Sequence, residues 1–203
     1  MMRIPSLTRA SLALALILVQ ALPLSLAHAA LKPGDTAPDF EAQAALAGNS
    51  YGYSLKTALK AGPVVVYFYP SAFTRGCNIQ AHTFAEQVGA FKAAGASIIG
   101  VSLDSIGRLR AFSADPDYCA SKISVASDVD GKIASAYALT VKEAPVGRKD
   151  SRGDEIDHGL AERTTFVITR DGRIAAAIGG VDPAENVAQA LRTVQNLKPG
   201  TPL

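Results

Sequence analysis

The 203-residue sequence predicts an α/β domain in which a central mixed β-sheet is flanked by helices. Two runs rich in β-branched and other apolar residues, 64–69 and 97–103, are typical of buried strands. Each run is followed by a segment of helical periodicity, which is the order expected of parallel strands joined by crossover helices. A later pair of strands, 164–169 and 173–178, surrounds a short polar turn and predicts an antiparallel hairpin. Together these observations predict a mixed sheet.

The remaining elements follow from turn and capping residues. An entry loop covers 31–40, and a loop over 70–76 separates the first buried strand from a helix that is expected to begin at Cys77 and to end near Gly95. The final helix has Asp182 at the N-cap, Pro183 at the first helical position and Glu185 two residues later. Between them the sequence predicts a helix over 105–114, a short strand over 124–126 and a short helix over 131–138. This order fits a thioredoxin-like fold.

The first 29 residues have the features of a signal peptide. Arg3 and Arg9 supply a positive start, and an apolar stretch follows over 11–26. Ala27-His28-Ala29 then places small residues where signal peptidase cleaves. An uncleaved membrane anchor is the alternative, but the apolar stretch is short for a membrane span and contains a proline. We therefore expect a single domain over 30–203 that is exported, either periplasmic or secreted.

The charge and composition of the mature chain exclude several classes of partner. Of the 20 basic residues, two lie in the first 29, so 18 basic residues remain against 18 acidic ones. Without a basic block, neither nucleic acid nor an anionic membrane is an expected partner. The two cysteines, with His82 and His158, lack the spacing of a metal site, so no metal or cofactor is predicted.

Cys77 stands at a position that makes a thiol reactive. In an exported chain two cysteines first suggest a structural disulfide. Cys77, however, follows a buried strand and opens a helix, where unpaired N–H groups and the helix dipole favour an anion. Three residues earlier, the hydroxyl of Thr74 can donate and accept hydrogen bonds near the sulfur, and Pro70 lacks an N–H and can shield the site from water. The thiolate is the nucleophilic form of cysteine, so this arrangement indicates catalysis by the sulfur.

The octapeptide PSAFTRGC, residues 70–77, resembles the peroxiredoxin pattern of a proline, three residues, a threonine or serine, two residues and a cysteine. Gln80 matches a polar position of that family, and the segments 34–40, 127–131 and 163–168 are similar to family segments in the same order. The resemblance covers nearly all of 31–197 and is greatest to the bacterioferritin-comigratory, or Q-type, branch.

This resemblance implies the roles of four catalytic residues. Cys77 would attack a peroxide oxygen and become a sulfenic acid. Thr74, Arg163 and loop N–H groups would stabilise the charge that develops on the leaving oxygen, and Pro70 would shield the site. Arg75 is a weaker candidate that we expect to be solvated. The implied partners are a peroxide substrate and a thioredoxin-like or small-thiol reductant, and we expect a monomer or a weak homodimer.

The sequence departs from the Q-type branch at His82, where many members have a second cysteine. His82 lies too far around the helix to act on Cys77, so we interpret it as a surface or interface residue. Cys119 is then the candidate that resolves the sulfenic acid to a disulfide. We expect the two sulfurs to be apart in the reduced protein, so that either the first turn of the Cys77 helix or the segment 115–123 must unwind.

Two other functions remain open at this stage. A thiol–disulfide oxidoreductase of the same fold normally has Cys-x-x-Cys at the helix start, where this chain has Gln80. A non-enzymatic exported domain with a permanent Cys77–Cys119 disulfide would leave the arrangement of Pro70, Thr74 and Arg163 unexplained. The charged segment 145–158 is interpreted as a mobile surface loop.

Overall fold

The structure is a computed structural model, and it describes residues 31–197. The predicted signal peptide and its cleavage site lie outside the described residues. Within 31–197, no helix is both long enough and apolar enough to cross a membrane.

Nine strands and five helices form the described part of the chain. The strands are β1 (Glu41–Leu46), β2 (Asn49–Ser54), β3 (Val64–Phe68), β4 (Ser97–Ser102), β5 (Ser124–Ser127), β6 (Val141–Lys142), β7 (Leu160–Ala161), β8 (Thr164–Ile168) and β9 (Ile174–Gly179). The helices are α1 (Leu55–Ala61), α2 (Arg75–Ala93), α3 (Ile106–Ala114), α4 (Lys132–Ala136) and α5 (Pro183–Asn196).

Seven of these strands form one sheet in the order β2-β1-β5-β4-β3-β8-β9. Strands β3, β4 and β5 run parallel, whereas β1, β2, β8 and β9 pair antiparallel. The two short strands β6 and β7 form a separate antiparallel ribbon. The predicted central mixed sheet is therefore confirmed.

Strand β3 lies inside the sheet, and all five of its side chains are buried. Because side chains alternate across a strand, Val65 and Tyr67 pack on one face with residues of α2, α3 and α5. Val64, Val66 and Phe68 pack on the other face with residues of α1 and α4. The helices thus cover both faces, as expected when the central strands are apolar on both sides.

Helix α2 begins two residues before the position expected from the sequence. Thr74 is its N-cap residue, and Arg75 is its first helical residue. Cys77 therefore lies inside the first turn rather than at its opening. The helix ends as predicted, because Gly95 takes a left-handed φ of 79° and its N–H donates to Lys92 O at 2.9 Å.

Residues 41–61 contain a hairpin and a helix that the sequence interpretation missed. The sequence of β1, EAQAAL, is rich in alanine and contains no β-branched residue. It therefore gives only a weak strand signal. The hairpin turn uses Ala47 and Gly48, both at positive φ, and only the glycine is a turn signal. The two-residue strands β6 and β7 were also missed. The predicted elements after Val64 agree with the structure within two residues at each end.

Candidate active site

The site lies where β3 ends and α2 begins. Cys77 is the third residue of α2, and only 1% of its surface is exposed to solvent. The first turn of a helix directs unpaired N–H groups and the positive end of the dipole towards this region. The chain thus places the sulfur where negative charge is stabilised.

Arg163 reaches the sulfur from the neighbouring strand. Strand β8 pairs antiparallel with β3 so that Thr164 lies opposite Phe68, which brings the residue before β8 beside the end of β3. The Nη2 of Arg163 donates to Cys77 Sγ at 3.3 Å. At Gly76 a side-chain Cβ would lie only 3.1 Å from this Nη2, so the glycine leaves the room that the guanidinium occupies.

A buried polar network fixes the orientation of Arg163. Its Nη1 donates to Gln80 Oε1 on the next turn of α2. The Nε2 of Gln80 donates to Asn186 Oδ1 at 2.9 Å, and Thr165 Oγ1 donates to the same oxygen. Asn186 in turn donates to Ile178 O at 2.9 Å. Because a buried amide without partners is costly, this network holds Gln80 and Arg163 in one arrangement.

Asn186 and Thr165 were not predicted as site residues. Asn186 lies one turn before Ala190 on the otherwise apolar face of α5. A polar residue on an apolar helix face indicates, from the sequence alone, a buried group that needs a hydrogen-bond partner. Its partner on α2, however, is 106 residues away along the chain.

Thr74 is the N-cap residue of α2, but its hydroxyl does not cap the helix. It donates instead to Ser71 O at 2.8 Å, within the loop before the helix. No hydrogen bond joins Thr74 to Cys77 Sγ in the described part of the chain. The hydroxyl oxygen still has lone pairs to accept a hydrogen bond from a ligand.

Pro70 and Arg163 both line a cleft of about 490 Å³ beside the buried sulfur. Its other lining residues are Thr140, Lys142, Arg148, Leu160, Ala161 and Glu162. Arg163 thus borders this cleft and also contacts Cys77 Sγ. The side chain of Arg75 is exposed, as expected, and it forms no hydrogen bond or salt bridge with another side chain among residues 31–197.

Cys119 is fully buried in the same hydrophobic cluster as Cys77, and both thiols are free. Burial, and to a lesser extent the charge of Asp115, raise the pKa of the Cys119 thiol far above its ordinary value. The neighbouring Tyr118 packs its ring against Phe73 and Phe112. In this closed conformation Cys119 is therefore a protonated, poorly nucleophilic thiol.

His82 lies at the surface and does not approach the site. Its Nδ1 is 3.0 Å from Asp117 O and so donates to that carbonyl, and its Nε2 is 3.4 Å from Glu86 Oε1. This agrees with its interpretation as a surface residue, and it links α2 to the segment that carries Cys119.

A second polar cluster lies beneath the loop before α2, and its members were not predicted. The Asp104 carboxylate is fully buried. It accepts from Ala72 N–H at 2.8 Å, from Ser71 Oγ at 3.0 Å and from Ser102 Oγ at 2.7 Å. His158 Nε2 lies 2.9 Å from Asp104 Oδ1. The signal in the sequence is an aspartate directly after an apolar strand, although its partners are distant along the chain.

The segment 145–158 lies at the surface, as interpreted, but it is anchored to the rest of the protein. Asp150 is buried and pairs with Arg108 at 2.6 Å, and Ile156 is buried as well. Ser151 N–H donates to Phe73 O at 2.8 Å, and the guanidinium of Arg152 lies 3.3 Å from the centre of the Phe73 ring. Its seven charged residues suggested solvation, but Asp150, Arg152 and Asp154 form ion pairs, and Arg152 also packs on the Phe73 ring of the loop before α2.

Within 31–197, no group of three or more histidine, cysteine, aspartate or glutamate residues is placed to hold a metal ion. The chemistry that this arrangement supports is that of a thiolate at a helix start with a guanidinium beside it.

Comparison with known proteins identifies the family. Residues 33–177 match the model of the AhpC/TSA family. The peroxiredoxin Bcp of Bacillus subtilis is 29% identical over 81% of this chain and 95% of its own length.

Solved structures agree with this match. The peroxidoxin BcpB of Mycobacterium tuberculosis superposes with a TM-score of 0.68 and 29% identity, covering 83% of this chain and 99% of that one. The bacterioferritin comigratory protein of Xanthomonas campestris, studied for its alkyl peroxide reduction activity, gives a TM-score of 0.59 and 26% identity, covering 75% and 89% of the two chains. The oxidoreductase and non-enzymatic alternatives find no support in these relatives. The chain belongs to the AhpC/TSA family and is a thiol-dependent peroxidase of the peroxiredoxin type, with a thioredoxin-like fold.

Proposed function

We propose that Cys77 is the cysteine that reacts with peroxide, and that Arg163, Thr74 and Pro70 form the site around it. The observation that carries this proposal is the hydrogen bond from Arg163 Nη2 to Cys77 Sγ at 3.3 Å. A guanidinium in this position stabilises a thiolate before the reaction and the departing oxygen during it.

The reaction is a displacement at oxygen. The Cys77 thiolate attacks one oxygen of the peroxide, an S–O bond forms, and the O–O bond breaks. The second oxygen leaves with the electron pair of that bond and takes up a proton, giving water or an alcohol. Arg163 and the lone pairs of Thr74 Oγ1 hold the two peroxide oxygens in line, and Pro70 limits the access of water.

We further propose that Cys119 resolves the sulfenic acid within one chain. Its sulfur attacks Cys77 Sγ, hydroxide leaves and is protonated, and a disulfide forms. A thioredoxin-like dithiol or a small thiol then reduces this disulfide by exchange. Both thiols are buried and free in this structure. We expect the segment 115–123 or the first turn of α2 to open before the disulfide forms.

The direct test compares two serine variants in a peroxide-consumption assay with a thioredoxin system. Cys77→Ser is expected to lose all peroxidase activity, because a serine hydroxyl is a far weaker nucleophile at neutral pH. Cys119→Ser is expected to complete the first reaction, to stall, and to accumulate Cys77 sulfenic or sulfinic acid. Turnover at the wild-type rate in Cys77→Ser would refute the proposal, and normal cycling of Cys119→Ser would remove Cys119 from it.

Export and assembly belong to the same proposal. We expect the mature protein outside the cytoplasm with Ala30 at its N-terminus, in keeping with the charged start, apolar stretch and small residues of 1–29. N-terminal mass spectrometry of fractionated cells tests this, and an intact Met1 on a membrane-bound form would indicate an anchor.

For the assembly we expect a monomer or a weak homodimer, which sedimentation velocity measures directly.

A further inference from the structure

The loop that leads into α2 is held through Ala72. Its N–H donates to Asp104 Oδ2 at 2.8 Å, and its C=O accepts from Arg108 Nη2 at 3.0 Å. Ser71 adds a hydroxyl donor to Asp104 Oδ1 at 3.0 Å. Both backbone groups of Ala72 and a neighbouring side chain are thus attached to the pair of Asp104 and Arg108 beneath the loop. The loop cannot move away from the protein without breaking these contacts.

The geometry of His158 requires both of its ring nitrogens to carry a proton. Nδ1 lies 2.8 Å from Gly159 O, and Nε2 lies 2.9 Å from Asp104 Oδ1. A carbonyl and a carboxylate oxygen only accept hydrogen bonds, so each nitrogen has to donate. A neutral imidazole has one donor and one acceptor and satisfies only one of these contacts. Both contacts are satisfied together only in the imidazolium form of the ring.

Charged groups from three elements surround this imidazolium. Asp104 faces it from the end of β4, and Arg108 of α3 lies 2.8 Å from the same Asp104 oxygen. From 145–158, Asp150 pairs with Arg108, and Arg152 lies 3.3 Å from Asp150 and bridges to the exposed Asp154. With His158 protonated, three positive groups balance three carboxylates. Loss of its proton leaves a net negative charge at a partly buried site.

The electrostatic balance at His158 agrees with this geometry. Burial by itself would lower the pKa of His158, but the hydrogen bond and the charge of Asp104 outweigh burial and hold the pKa above its ordinary value. Burial would raise the pKa of Asp104, but His158 and the N–H of Ala72 outweigh it and hold the pKa below its ordinary value.

We propose that His158, as an imidazolium, is a positioning residue that keeps the loop 70–76 closed on Asp104, and that loss of its proton loosens this loop. Opening of the loop frees the start of α2, which carries Cys77. The protonation state of His158 would then set how readily Cys77 can meet Cys119. Only this last consequence rests on the roles proposed above for the two cysteines.

The contacts show how the loop is released. When Nε2 gives its proton to water, Nδ1 keeps its own for Gly159 O, and the Nε2 lone pair then faces the Asp104 carboxylate at 2.9 Å. The nearest hydroxyl is Ser71 Oγ, at 3.4 Å from Nε2. If Ser71 turns to donate to Nε2, it gives up its bond to Asp104. In the first case the segment 145–158 loses its contact to Asp104 and the buried carboxylate loses its compensating charge, and in the second case the loop itself loses a contact to Asp104.

Hydrogen exchange of the reduced protein tests this without peroxide, and therefore independently of the proposed cysteine roles. Amide exchange of a peptide spanning 70–76 is compared between about pH 6 and pH 8 after correction for intrinsic exchange rates. In the wild type, protection should fall about tenfold or more over this range, the scale of losing a charge-assisted hydrogen bond. In His158→Gln it should be low at both pH values. Lys149→Gln, which removes a cation from the same segment without touching Asp104, should behave as the wild type.

A pH-independent protection in the wild type would overturn the proposal, as would the same pH-dependent fall in His158→Gln. The wild-type series alone decides the matter if His158→Gln does not fold. A second measurement adds the rate of Cys77–Cys119 disulfide formation after one equivalent of hydrogen peroxide. The ratio of the His158→Gln rate to the wild-type rate cancels the titration of the cysteines. It should be about ten near pH 6 and approach one near pH 8, whereas a constant ratio would show a purely structural role.

Discussion

At the scale of single residues, Arg163 connects the two parts of the site. One nitrogen of its guanidinium donates to Cys77 Sγ, and the other donates to Gln80, which Asn186 holds in turn. Only an arginine offers two such donors in a fixed plane together with a permanent charge. Its orientation is therefore set by groups on α2 and α5, and Gln80 of α2 is 83 residues away from Arg163 along the chain.

We predict that Arg163→Ala slows sulfenic acid formation by about 10²-fold or more, the scale for losing a charged donor to the transition state. Stopped-flow measurement of peroxide consumption in a single turnover gives this rate. Arg75→Ala is the matched control, because Arg75 lies at the same helix start but is exposed. An Arg163→Ala rate within a factor of two of wild type, or an equal loss in Arg75→Ala, would contradict this role.

At the scale of elements, the segment 115–123 keeps Cys119 away from reaction. Ala120 and Ser121 take left-handed φ values of 51° and 56°, which are unfavourable for residues other than glycine. Packing of the Tyr118 ring on Phe73 and Phe112, with ring centroids 5.7 and 5.5 Å away, opposes this strain. The closed conformation thus depends on aromatic contacts between this segment, α3 and the loop before α2.

Tyr118→Ala is expected to accelerate disulfide formation between Cys77 and Cys119. An aromatic pair contributes about 0.5–1.5 kcal/mol beyond its buried area, so the rate should rise about three- to tenfold. Rapid acid quenching after a peroxide pulse, followed by mass spectrometry, measures the rate. Tyr51→Ala, an exposed tyrosine of β2, is the control and should leave the rate unchanged. A slower or unchanged rate in Tyr118→Ala would show that this segment does not have to open.

At the scale of the whole molecule, the charged cluster beneath the loop makes stability depend on pH. The folded-state pKa of His158 lies above its ordinary value, so its contribution is fully present below about pH 6.5 and is lost as the pH rises through the folded pKa. The folded-state pKa values of Asp104 and Asp150 are lowered, so their contributions are present at neutral pH and are lost as the pH falls through these values.

We therefore predict that the free energy of unfolding decreases as the pH rises from about 6 to about 8. The decrease should not exceed the net contribution of a hydrogen bond between charged groups, about 1.5–3 kcal/mol. Urea denaturation of the reduced protein measures this decrease. Ending the pH series at about 8 keeps the Cys119 thiol mostly protonated in the unfolded chain. His158→Gln should show a flatter profile over the same range, and a slope equal to that of the wild type would contradict the assignment.

Sequence patterns predicted the central part of this molecule because local signals there are strong. The apolar run of β3, the proline and threonine before Cys77 and the N-cap of α5 each act over a few residues. The hairpin of β1 and β2 was missed because its strands gain stability from pairing with β5, about 80 residues later along the chain. Its alanine-rich sequence carries little of that information.

The candidate site shows the same limit. Cys77 and Arg163 were predicted from motif and resemblance, and they lie in contact. The partners that hold them, Asn186 and Asp104, were not predicted, because a buried polar residue reveals that it has partners but not which ones. The ion pairs of the segment 145–158 were missed for a related reason, since charge composition alone does not distinguish solvated groups from paired ones.

The central claim, that Cys77 reacts with peroxide and Cys119 resolves it, is tested most directly by peptide mapping. The reduced mature protein is treated with one equivalent of hydrogen peroxide, with and without a sulfenic-acid trap, and its cysteines are mapped by mass spectrometry. The account predicts a trapped sulfenic acid on Cys77 alone, and, without the trap, a disulfide joining Cys77 to Cys119 of the same chain. An unmodified Cys77 beside an oxidised Cys119 would contradict it.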